Sequence, residues 1–105
     1  MANSKRKTIS ERRHMDLVAS LGCAVCRNMG YGESPAQLHH IRSRAGLGQR
    51  SSHAEVIPLC PAHHIAAYQT GFHASPKRWQ AEHGTEDELL AQVLSELESI
   101  QDSTV

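Results

Sequence analysis

Residues 37–64 read QLHHIRSRAGLGQRSSHAEVIPLCPAHH. Two short apolar runs, Gln37–Ile41 and Val56–Leu59, are strand candidates. Between them lies a basic loop holding Arg42, Arg44, Gly46, Gly48 and Arg50, which the glycines make flexible. Pro61 is well placed to open a helix across His63–Gln69, with Gly71 to end it. The expected unit is a β-hairpin followed by a helix, in a small α+β chain. Its first strand carries His39-His40, and its helix starts on His63-His64.

Outward from this unit, Cys23-Ala-Val-Cys26 matches Cys60-Pro-Ala-His63 in spacing, with 33 residues between the halves. Three thiolates and one imidazole complete a tetrahedral shell with no open position, the character of a structural zinc. Cys23, Cys26, Cys60 and His63 are therefore the candidate Zn²⁺ ligands. The odd count of three cysteines argues against a purely disulfide framework. A redox C-x-x-C would need a βαβ context, which the order of elements does not provide.

His39, His40 and His64 then remain unspent. Adjacent strand residues face opposite sides, so His39 and His40 do not suit one ion together. One can ligate while its neighbour points toward substrate as a base, and a neutral histidine is the natural base near pH 7.

The flanks complete one domain over residues 9–105, preceded by a basic tail, residues 1–8, expected to be disordered. Thr8 and Glu11 make a capping box, Ile9, Met15, Leu17, Val18 and Leu21 follow at helical spacing, and Gly22 supplies a left-handed stop. Residues 28–36, with Gly30, Gly32 and Pro35, should be loop. Ser75-Pro76 starts a short helix through Trp79 that closes near Gly84. Thr85 and Glu88 form a second capping box for a C-terminal helix, 85–101, with Leu89, Leu90, Val93, Leu94, Leu97 and Ile100 as its apolar stripe. With 105 residues and four aromatics the core is small, which a structural metal would help to stabilise.

The formal net charge of zero hides a split: residues 1–50 carry nine Lys/Arg against three acids, and residues 51–105 carry two against eight. Such polarity suits a face laid on a polyanion. No apolar run approaches membrane-spanning length and residues 1–9 hold no secretory-type segment, so a cytoplasmic protein without a membrane partner is expected. Oligomeric state is not legible.

The run His39-His40-Ile41, a basic glycine-containing loop and Ile57-Pro58-Leu59-Cys60-Pro61-Ala62-His63-His64 resembles the HNH endonuclease motif, the ββα-metal finger. The longer stretch through Gly71-Phe72-His73 and the Trp79 helix resembles the phage RecA-dependent recombination-enhancement nucleases, over a core of residues 20–84. The resemblance implies that His40 is the general base that activates water. It implies that His39 and His64 bind a catalytic divalent ion, Mg²⁺ or another, and that Cys23, Cys26, Cys60 and His63 form a flanking zinc knuckle. The Asn that buttresses the base in the motif should lie shortly before Cys60, where this chain offers His53, Ala54 and Glu55. His53 is the first candidate for that orienting role and Glu55 the second. Tyr68 occupies the place of a second helical histidine found in nuclease colicins. His73 could supply that third ligand or contact the scissile phosphate.

The expected activity is metal-dependent hydrolysis of DNA phosphodiester bonds, with Arg42, Arg44 and Arg50 gripping backbone phosphates in a largely sequence-independent manner. The family likeness adds a phage or prophage origin, hence a bacterial host cytoplasm, and a recombinase–DNA filament as partner. The alternative is a zinc-stabilised module that binds nucleic acid or protein without cutting.

Overall fold

The structure, a computed structural model, describes residues 8–42 and 53–103. The tail up to Lys7 and the loop positions Arg44 and Arg50 lie outside the described residues. Helix α1 spans Ile9–Ser20, and the expected capping box is present, with Thr8 and Glu11 each bonding the other's backbone N–H. A cap of this kind contributes about 1 kcal/mol. Gly22 follows at φ +80°, the left-handed conformation that stops the helix and turns the chain into Cys23.

The knuckle itself is helical. Residues Ala24–Asn28 form a short helix, α2, in which the Cys23 sulfur accepts from the Cys26 backbone N–H at 3.4 Å. Strand β1 (Gln37–His40) pairs antiparallel with β2 (Val56–Leu59) in the register His39 to Ile57 and His40 to Val56. Directly paired residues share a face. His39 therefore lies on the face of Ile57 and His40 on the face of Val56.

All four residues of β2 are buried, so the hairpin is covered on both sides. On one side Ile57 and Leu59 pack with the knuckle, Phe72, Trp79, Leu89 and Leu90. On the other Val56 packs with Met15 and Val18 of α1 and with Val93 and Leu97 of the C-terminal helix. That helix, α5, runs Glu86–Ser103 after α4 (Pro76–His83), and Thr85 and Glu88 form the second capping box. The apolar stripe of α5 divides: Leu89, Leu90, Val93 and Leu97 are buried, whereas Leu94 and Ile100 are exposed.

The helix opened by Pro61 is shorter than its sequence suggests. Helix α3 covers only Pro61–His64, because Ile65 turns extended at φ −82°, ψ 140°. Gly71 explains the early stop. A Cβ there would lie 2.1 Å from the Ile65 carbonyl oxygen, so the chain folds back against the end of α3 where only glycine fits. The fold-back leads into a 3-10 turn, Phe72–Ala74. Tyr68 consequently sits in a turn, not one helical turn beyond His64. Among the described residues no helix is long and apolar enough to cross a membrane.

Candidate metal centre

Two elements converge on the first cluster. Cys23 caps α2, Cys26 lies within it, Cys60 precedes α3 and His63 lies in α3. The His63 Nδ1 stands 3.7 Å from the sulfurs of Cys23 and Cys26 and 3.2 Å from that of Cys60, and the Cys26 and Cys60 sulfurs are 3.8 Å apart. A tetrahedral zinc with ordinary bond lengths requires about 3.8 Å between sulfurs and about 3.6 Å between sulfur and nitrogen. The cluster has the dimensions to hold a metal such as zinc, and the three cysteines are free thiols.

Burial pushes the Cys23 thiol up to about 11. Burial also opposes ionisation of Cys60, but hydrogen bonds from the His63 backbone and from Cys23 and Cys26 carry it below its ordinary value. Burial, with His83 nearby, lowers His63, which favours the neutral ligating imidazole.

The second cluster is built from three elements. His39 of β1, His64 of α3 and His73 of the 3-10 turn place one ring nitrogen each within 4.8 Å of one another. Their ring centroids are 4.9–5.2 Å apart. Phe72 packs on His39 at 4.4 Å between centroids and on Trp79 at 5.2 Å, which fixes the turn that carries His73. Burial first, then the neighbouring His39 and His73, pushes His64 down to about 4. Burial likewise lowers His39, against the pull of Glu86. Both rings are thus held neutral near pH 7, the form that can ligate.

His40 lies outside that triad and faces a different partner. Its Nε2 is 3.0 Å from Nδ1 of His53, with the two rings at 73°. His53 belongs to the turn before β2, and His14 of α1 secures that turn by a 3.1 Å hydrogen bond from Nε2 to the Ala54 carbonyl. The backbone carbonyl of Glu55 instead accepts from Ile41 N–H at 3.2 Å. Arg42 has an exposed side chain next to β1.

Two residues of the site escaped sequence reasoning. Glu86, only 2 % exposed, approaches His39 Nε2 to 2.5 Å and accepts from the Arg42 backbone N–H at 2.9 Å. Gln37 accepts at Oε1 from His64 Nδ1 at 2.9 Å. Glu86 is 47 residues from His39 in sequence and sits in the acidic first turn of α5, where a carboxylate normally serves the helix end. No local pattern marks it out. Gln37 lies two residues before His39, on the same side of the strand by alternation, and that spacing is a usable signal.

No curated protein matches the chain. The family model described as recombination enhancement, RecA-dependent nuclease, matches residues 7–98.

Proposed function

The chain belongs to the recombination-enhancement, RecA-dependent nuclease family, and on that footing we propose that it is an HNH-type endonuclease that hydrolyses DNA phosphodiester bonds with a divalent ion. The observation that carries this reading is the convergence of His39, His64 and His73 from three separate elements, directly beside a closed Cys₃His cluster. A fold that needed one zinc for stability would have no use for a second, all-imidazole group. A divalent ion held there would offset the negative charge that builds on the phosphate during hydrolysis. Imidazole donors suit first-row transition ions better than Mg²⁺, Zn²⁺ well above Mn²⁺.

The chain's own residues supply the rest. His40 takes the proton of the attacking water, a step worth about 10²–10⁴ in rate. His53, bonded to His40 at 3.0 Å, does the orienting work that an Asn does in the HNH motif. Arg42, at the mouth of the hairpin, grips a backbone phosphate with its guanidinium fork, together with Arg44 and Arg50. Cys23, Cys26, Cys60 and His63 hold a structural zinc. The reading includes a phage or prophage origin and action on DNA carrying a recombinase filament, the latter supported by the family's description as RecA-dependent.

The test is cleavage of plasmid, bare and loaded with recombinase filament, under Mg²⁺, Mn²⁺ or Zn²⁺ with and without chelator. Cleavage should require an added ion and vanish in His64→Ala while that variant keeps one zinc per chain. Undiminished cleavage by zinc-loaded His64→Ala would refute the metal reading.

A further inference from the structure

Two of the three ligand candidates have their second ring nitrogen held by an acceptor. His64 Nδ1 is bonded to Gln37 at 2.9 Å, and His39 Nε2 meets Glu86 at 2.5 Å. A neutral imidazole has one N–H and one lone pair, so an acceptor on one nitrogen leaves the lone pair on the other. Metal-ligating histidines are commonly oriented in this way, and a carboxylate partner also makes the ring a stronger donor.

We propose that Glu86 is a positioning residue for the divalent ion at His39, His64 and His73: it fixes the His39 ring with Nδ1 toward the ion and raises its donor strength. The proposal rests on the metal reading above. Glu86 is not itself one of the three converging ligands. Its side chain is 3 % exposed and that of His39 is 2 %. A carboxylate buried this deeply is costly unless donors satisfy it. The donors here come from the ligand His39 and from the Arg42 backbone N–H, three residues further on. His39 lies in β1 and Arg42 two residues past its end, so both belong to the stretch that feeds the site, not to the core side of α5. The apolar stripe of α5 already anchors that helix through Leu89, Leu90, Val93 and Leu97. A first-turn acid can serve the helix end, as the exposed Asp87 and Glu88 can, but Glu86 is buried against the His39 ring, where it can aim the imidazole. Through Glu86 the C-terminal helix becomes part of the metal centre.

The experiment is calorimetric titration of Mn²⁺ into the full chain carrying its structural zinc, comparing wild type, Glu86→Gln, Glu86→Ala and Gln37→Ala, with His64→Ala as the ligand-loss control. Glu86→Gln preserves length and an accepting oxygen but removes the charge, so it tests the proposal even where Glu86→Ala folds poorly. The expected result is Mn²⁺ affinity about tenfold weaker in Glu86→Gln and up to about 100-fold weaker in Glu86→Ala, at unchanged zinc content. The exposed Gln37→Ala should lose less. Wild-type Mn²⁺ affinity in Glu86→Gln, with binding abolished in His64→Ala, overturns the positioning role while leaving the metal centre intact. A wild-type chain that takes up no Mn²⁺ overturns both.

Discussion

On the proposed HNH reading, His53 stands in for the motif's amide, and its 3.0 Å contact to His40 gives that exchange a physical sense. What the base needs from its neighbour is an acceptor for one ring N–H, so that the lone pair on the other nitrogen faces water. An imidazole nitrogen and an amide oxygen both provide one. His53→Asn should therefore keep most of the activity, whereas His53→Ala should lower kcat about tenfold or more with little change in KM, since the lost interaction acts in the transition state. Steady-state kinetics on one DNA substrate decides the matter. Equal kcat in wild type and His53→Ala would mean that His40 is oriented by something else. At the residue scale, the spacing of the cysteines is enough to name the Cys₃His cluster, whereas His39 and His64 as ligands, and His73 as a possible third, come only from the family resemblance. Glu86 was not legible, because its partnership with His39 exists only once α5 has docked.

Among the elements, the 3-10 turn after α3 has the largest consequence for the site. It exists because Gly71 lets the backbone press against Ile65, and it delivers His73 to His39 and His64. Gly71→Ala puts a methyl group into backbone that cannot rotate away, an overpacking cost of about 1–3 kcal/mol. In a domain of this size each kcal/mol lowers Tm by about 4–8 °C. The expected outcome is a lower Tm in thermal unfolding together with weaker binding of the second ion, because His73 must move. A Gly71→Ala protein with wild-type Tm and Mn²⁺ affinity would contradict the close approach. Elements defined by local chemistry were readable in advance: both capping boxes, the Gly22 stop and the two strands need only neighbours in sequence. The truncation of α3 was not, since residues 61–69 pattern as a helix and only the tertiary contact between Gly71 and Ile65 ends it.

Over the whole molecule, the charge split seen in sequence is partly consumed internally. Arg27 of α2 forms a bidentate pair with Glu96 of α5 at 2.8 and 3.0 Å, and Glu86 turns inward to His39. The Arg27 hydrogen bond chiefly holds Glu96 below the usual carboxylate range. These contacts tie the C-terminal helix to the knuckle and to His39, so Glu86 and Glu96 of residues 51–105 are spent on internal partners. The same helix buries Val93 and Leu97 with Met15 and Val18 of α1 and Val56 of β2. The molecule thus sets a Cys₃His cluster able to hold a metal such as zinc beside a second cluster, His39, His64 and His73, drawn from three elements, with His40 next to His39 in β1. The most direct measurement is the rate of DNA cleavage by His40→Ala against wild type, each carrying one zinc per chain and saturated with Mn²⁺. The expected result is a rate lower by about two orders of magnitude or more at unchanged ion binding, as for removal of a general base. Wild-type cleavage by that variant would contradict it.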